Sequence, residues 1–231
     1  MAQRHRRAQN AAMTKAWRVL PVMLFAALTA CGHTRLPEER TDDGLVRVPS
    51  RASGGVYRDI TADFTLYRRF ILEPPTIEFT ANWRDQHRDV DDREVARIRD
   101  EAIALFRDEF AREMVRRGPF EFADEPAPDV LRVIPRVVDL DILAPDTGDG
   151  VVQRTYTPGP VKMQVTGELR DAMSNALLAR IIIFEGQYRY GQGELRVANR
   201  VTNAHEMRIG FGKWAAMVHE ALNVANVAKP R

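Results

Sequence analysis

Residues 161–184 read VKMQVTGELRDAMSNALLARIIIF, and their alternation decides the fold class. Over 161–169 the apolar side chains of Val161, Met163, Val165 and Leu169 fall on one face. Lys162, Gln164, Thr166, Glu168 and then Arg170 fall on the other. A period of two with a single apolar face is the pattern of an antiparallel strand that packs one side on a core. DAMSNA at 171–176 supplies turn residues, so residues 177–190 return as the second arm of a hairpin. In that arm both faces are apolar. Leu178, Ile182 and Phe184 lie on one side, and Leu177, Ala179, Ile181 and Ile183 on the other. A sheet with helices on one side does not need the second set. Either the strand is central and covered twice, or Leu177, Ile181 and Ile183 form a contact surface. Large exposed apolar patches are rare, which favours covering by the chain's own N-terminal segment.

Outward from the hairpin the same logic finds the remaining elements. Residues 130–143, VLRVIPRVVDLDIL, form a strand whose phase changes: Leu131 and Val133 are apolar at odd positions, Val138, Leu140 and Ile142 at even ones. A one-residue shift would turn one set away from the core, and a bulge around Pro135 would reconcile them. Residues 67–79 read as a strand interrupted at Pro74-Pro75, hence an edge or a bend, because proline cannot donate to a ladder. Residues 91–118 are the clearest helix. Val95, Ile98, Ala102, Leu105, Phe106, Phe110 and Met114 recur at three- and four-residue steps, Asp91 and Glu94 have capping-box spacing, and Gly118-Pro119 ends the run. A last helix spans about 203–227 with Met207, Phe211, Trp214, Val218 and Leu222 on one face; Gly210 and Gly212 argue for a start nearer Phe211. The expected fold is α+β: a twisted, mainly antiparallel sheet with two helices packed on one face, in the order β-α-β-β-β-α.

The N-terminus obeys different rules. The first thirty residues carry Arg4, Arg6, Arg7, Lys15 and Arg18 and no acidic residue, followed by an apolar run through Leu28. A basic flank, a short apolar run and small residues at its end make a secretory signal, and the run is too short to span a bilayer. Leu28-Thr29-Ala30-Cys31 resembles the lipobox of bacterial lipoproteins, in which the cysteine is acylated and the chain is cut just before it. Cys31 is the single cysteine, so it has no disulfide partner in an oxidising compartment. The residue after it is Gly32 rather than the Asp that holds many such proteins at the inner membrane, which favours the outer membrane. Met13 is an alternative start that gives a compact signal. The domain reading is therefore a signal over 1–30, a flexible tether over 31–55, rich in charge, Pro, Gly and Ser, in which Leu45, Val46 and Val48 would dock as a short strand, and one α+β domain over 56–231. Taking the five basic residues ahead of Cys31 from 34 leaves 29 against 32 acidic, a net charge of −3. The alkaline pI belongs to the signal and gives no reason to expect nucleic-acid binding.

Taken in order, TDDGLVRVPSR, VYRDITADFTLYRRFILEP, the 91–118 helix, DVLRVIPRVVDLDILAPDTG, GELRDAMSNALLAR and RIGFGKWAAMVHEALN resemble the Gram-negative lipoproteins grouped as the domain of unknown function 3313 family. The resemblance covers most of residues 41–225. It implies an envelope lipoprotein with an α+β domain, and it carries over no catalytic residues.

Motifs for chemistry are sparse. After Cys31 the serines are Ser50, Ser53 and Ser174, the last in a turn. His205-Glu206 and His219-Glu220 begin like a zinc-protease motif, but Ile209 and Asn223 stand where the second histidine belongs. Gly210-Phe211-Gly212-Lys213-Trp214 lacks the Ser or Thr of a phosphate loop, and Gly191-Gln192-Gly193 reads as a loop. Asp139 and Asp141 would share one strand face, and a solvated face opposite Val138, Leu140 and Ile142 explains them better than acid–base or calcium chemistry. The expectation is a non-enzymatic, lipid-anchored envelope protein facing the periplasm. It would dock onto an envelope assembly or transport complex through an unidentified protein partner, with no cofactor, no metal and no nucleic acid. Two alternatives are a carrier of a small apolar ligand or lipid and, behind it, a hydrolase using Asp139 and Asp141.

Overall fold

The computed structural model describes residues 39–50, 54–143, 155–157, 159–186 and 196–227. The hairpin is β8 (Val161–Asp171) and β9 (Leu177–Glu185), and both arms lie in the middle of an eight-stranded sheet. Outside β9 come β2 (Gly54–Arg58) and then β1 (Val46–Val48), both antiparallel. Outside β8 comes the long β6 (Val130–Ile142), also antiparallel. The far side of β6 is shared by two short strands, β3 (Arg69–Leu72) and β4 (Thr76–Phe79), both parallel to it, and β5 (Glu121–Phe122) finishes that edge. β7 (Thr155–Thr157) and β10 (Arg196–Ala198) pair in a small sheet of their own. The fold is α+β with a mostly antiparallel sheet, as expected, and the short strands β1, β2, β5, β7 and β10 extend the expected element order.

Prolines explain how β6 serves two neighbours. β3 stays in register with β6 as far as Leu72 opposite Val133, and β4 resumes with Thr76 opposite Arg136. Pro74-Pro75 fall in the gap, and so does Pro135 on β6. The missing N–H groups thus meet no ladder on that side. On its other side Pro135 stays in register, opposite Gly167, so the bulge expected around Pro135 is not there. It lies three residues later. Val138 to Asp141 takes three steps against two for Gln164 to Lys162, and Asp139 sits at φ 52°. Asp tolerates the left-handed region better than most residues, which places the kink at an Asp. Val138 consequently leaves the buried set, which runs Leu131, Val133, Val137 and then Leu140 and Ile142.

Two long helices cover one face. α1 (Trp83–Gln86) is a single turn, and α2 (Asp92–Ala111) follows, capped by the Asp91 carboxylate accepting from Glu94 N–H at 2.8 Å. A π-helical turn, Arg112–Arg116, carries α2 to Gly118, where a β-carbon would meet the Met114 carbonyl at 2.7 Å. α3 (Arg200–Val227) starts earlier than the glycines suggested. Asn199 and Thr202 cap it reciprocally: Thr202 N–H donates to Asn199 Oδ1 at 3.0 Å, and Asn199 N–H to Thr202 Oγ1 at 2.9 Å. Gly210 lies where helix and sheet approach closely: a β-carbon there would meet Met163 Cε at 2.2 Å, and the flexible end of that side chain would have to shift.

The core is aromatic. Phe106 and Phe110 on α2 meet Trp214 on α3 at ring distances of 5.4 and 6.0 Å, and Phe110 stands edge-on to Phe70 of β3 at 5.0 Å. Leu45, β1 and the start of β2 lie inside the stretch read as a tether, so the folded domain begins ahead of Val56. The signal over 1–30 and residues 31–38 lie outside the described residues.

Candidate docking surface

The apolar strand β9 is where sequence and structure part most clearly. Its two faces are opposite in kind. Ala179, Ile181 and Ile183 turn towards the helices and are buried, at 0%, 0% and 2% exposure. Trp214 of α3 lies directly on them. Its indole fits because Gly167 on the neighbouring strand has no side chain; a β-carbon there would meet Trp214 Cζ2 at 2.4 Å. The indole N–H donates to the Ile181 carbonyl at 3.2 Å. The candidate contact surface therefore needs correction. Ile181 and Ile183 are core residues under α3, and Leu177 is a half-buried residue at the hairpin turn. The period-two pattern identified both faces of β9 but gave no means of telling which one the helices cover.

The outer face of β9 presents Arg180, Ile182 and Phe184. Arg180 is the hub of a charge network: its Nη2 meets Asp43 at 2.6 Å and Glu168, directly opposite on β8, at 2.9 Å. Arg170 holds the other side of Glu168 at 2.7 Å. Burial pushes the Glu168 carboxyl up, but hydrogen bonds from Arg180 and Arg170 outweigh it and hold the group below its usual value. Asp43 is lowered by its hydrogen bond from Thr41 and by Arg180. Asp43 belongs to a turn over 39–47, closed by Arg47 N–H donating to the Glu39 carbonyl at 2.8 Å. The N-terminal segment thus meets the outer face at Arg180, whereas the covered-twice reading expected it over Leu177, Ile181 and Ile183, which α3 covers instead. Tyr57 of β2, buried with its ring over Gly55, covers the strip beside Ile182.

The residues weighed for chemistry have structural roles. Ser174 caps its own turn, its hydroxyl and N–H both donating to Asp171 Oδ1 at 2.8 and 2.7 Å. Asp139 holds the bulge, and Asp141 faces Lys162 at 4.0 Å, so the two carboxylates do not alternate on one regular face. His205 is exposed on α3, whereas His219 lies 3.4 Å from Glu113 and edge-on to Phe120. Lys213 is inside α3 and pairs with Glu185 at 2.8 Å, not with a phosphate-loop backbone. Among the described residues no three His, Cys, Asp or Glu side chains gather to hold a metal ion, and no helix is long and apolar enough to cross a membrane. Cys31 and Gly191-Gln192-Gly193 lie outside the described residues.

A cavity of about 270 Å³ opens between the β1–β2 edge and α3, walled by Val48, Val56, Met217 and Ala221. Arg58 lines it, with its guanidinium 4.4 Å over the Phe64 ring and its Nε buried without a hydrogen-bond partner.

Sequence reasoning missed three exposed apolar side chains at one end of the sheet. Ile60, Leu66 and Met173 are 69%, 61% and 62% exposed. Each sits on a turn closed by an Asp: Asp59 accepts from Thr61 N–H at 2.8 Å, Asp63 from Thr65 N–H at 3.0 Å, and Asp171 from Met173 N–H at 3.1 Å. The signal was legible in DIT, DFTL and DAMS, where a short polar residue starts a turn that carries an apolar one.

No family model matches the chain, and no curated protein matches it. Solved structures do. Two PelC dodecamer structures from Paraburkholderia phytofirmans, one of them a point variant, resemble it with a TM-score of 0.32 at 12% and 11% identity. Each covers 73% of this chain and 96% of its own. A homolog of a neuraminyllactose-binding hemagglutinin from Helicobacter pylori resembles it with a TM-score of 0.30 at 12% identity, over 79% of this chain and 89% of its own.

Proposed function

We propose that the protein is a lipid-anchored lipoprotein of the bacterial cell envelope, joined to the outer membrane through Cys31, whose α+β domain acts by docking rather than by catalysis. The observation that carries this reading is the lipobox Leu28-Thr29-Ala30-Cys31 at the end of a basic-then-apolar signal, with the first strand of a folded domain fifteen residues on, at Val46. The structural roles of Ser174, Asp139, Asp141 and His219 support a non-enzymatic part. The same reading takes the chain as a member of the domain of unknown function 3313 family, on the ordered motifs of 41–225. It is tested by labelling cells with palmitate. The parent protein should take up label and fractionate with outer membranes; the Cys31→Ser variant should do neither. A parent without label would refute the anchor. Crosslinking in intact cells should then capture a protein partner, and its absence would remove the docking role.

One observation favours a second reading, a carrier of a small apolar ligand: the cavity beside Arg58. At about 270 Å³ it falls just under the range of about 300–1,000 Å³ usual for ligand pockets. Only a small ligand would fit. Native mass spectrometry of the membrane-extracted protein would show a bound small molecule under that reading and none under the first.

A further inference from the structure

The three apolar turns share one end of the sheet. β8 ends and β9 begins there, joined by the turn that carries Met173. Loop 59–68 crosses the same end from β2 to β3 and carries Ile60 and Leu66. It is tied down at several points: Asp59 N–H donates to the Leu178 carbonyl at 2.8 Å, Tyr67 Oη to Asp171 Oδ2 at 2.9 Å, and Phe64 is buried beneath it. Burial, together with Asp171, raises the Tyr67 hydroxyl to about 12, so Tyr67 keeps its proton and the link to the Met173 turn through neutral pH. The apolar tips are therefore held by a rigid frame and are not collapsed onto the protein.

The chain enters the domain at this same end. Arg40 bridges to Val46, and Val46 pairs with Arg58, the residue before Asp59-Ile60. Glu39 is eight residues on from Cys31, and a chain of that length spans at most about 28 Å even when fully extended. An anchor at Cys31 thus tethers the entry end, and with it the three apolar turns, close to the bilayer surface. Three side chains on separate turns are too few for a stable protein interface, which needs about 800 Å² from each partner. They suit a lipid surface, where single apolar side chains enter the headgroup boundary and add to a covalent anchor. Exposed Arg68 lies beside Leu66, where an arginine can meet lipid phosphate.

We infer that the end of the sheet bearing Ile60, Leu66 and Met173 lies against the phospholipid surface and sets the orientation of the domain on its membrane. The inference rests on the lipid anchor proposed above. Val201, 77% exposed at the start of α3, marks the opposite end, next to β10 and the start of β8, and should stand clear of lipid.

The test uses the full-length lipidated protein in vesicles of phosphatidylethanolamine and phosphatidylglycerol doped with nitroxide-bearing lipid. Acylation consumes Cys31, so Ile60→Cys, Met173→Cys and Val201→Cys each offer one thiol for a fluorescent label. Quenching should be at least about threefold stronger at 60 and 173 than at 201, because interfacial contact reaches only about 5–10 Å into the boundary. Equal quenching at the three sites, or none at 60 and 173, in protein shown by mass to carry lipid would overturn the orientation and leave the anchor standing. Protein without lipid would overturn both. A photo-crosslinker at 173 that captured a protein in place of lipid would also overturn it.

Discussion

Both faces of β9 carry large apolar side chains, yet their fates are opposite. The inner face, Ala179, Ile181 and Ile183, is sealed under Trp214. The outer face, Arg180, Ile182 and Phe184, is closed in part by charge pairs and in part left to solvent. The difference comes from neighbours. Gly167 leaves room on the inner side of β8 for the Trp214 indole, whereas the outer side of the same strand offers Glu168 to Arg180. Apolar content marks a strand as central in a sheet, and the small residue on the adjacent strand decides which side the helix takes.

The sharpest way to break this comparison is a charge on the inner face. Ile181→Asp buries an unpaired carboxylate under α3 and should cost more than about 4 kcal/mol, leaving no cooperative unfolding transition by circular dichroism. Trp214→Ala should cost about 3–5 kcal/mol in denaturant titration, combining a cavity with the loss of the bond to the Ile181 carbonyl. On the outer face the numbers drop. Asp43→Ala removes one partner of Arg180 at a site more than a third exposed and should cost at most about 1 kcal/mol at neutral pH. Because the Asp43 carboxyl is held below its ordinary value of 3.8 in the folded protein, its contribution is present above that value and lost as the pH falls through the folded one. The gap between parent and variant should therefore close on acidification, read from unfolding curves across that window. Phe184→Ser, at a side chain 37% exposed, should cost about 1 kcal/mol; a loss like that of Trp214→Ala would show that the two faces are not different after all.

Much of this was legible in the residues. The alternation of 161–169, the apolar stripe of 91–118 and the Pro74-Pro75 break each describe a local rule that the fold obeys. What escaped reading depends on partners distant in sequence. The bulge belongs to Asp139 rather than Pro135 because Pro135 lies opposite the break between β3 and β4, a pairing about sixty residues away. The early start of α3 rests on an Asn199–Thr202 cap outside the usual Ser/Thr-to-Glu pattern, and Gly210 sits where the helix passes close to Met163 on the sheet. The candidate docking residues were placed on the wrong side because burial on β9 is set by α3, not by β9 itself. The exposed tips at Ile60, Leu66 and Met173 were visible only as turn motifs, since nothing local says that three turns meet at one end.

The account stands or falls on how the protein is joined to its membrane. Mass analysis of the N-terminal peptide of protein extracted from membranes measures this directly. The account predicts a chain that begins at Cys31 and carries the added mass of fatty acyl and glyceryl groups. A chain that begins elsewhere, or an unmodified Cys31 thiol, would contradict it.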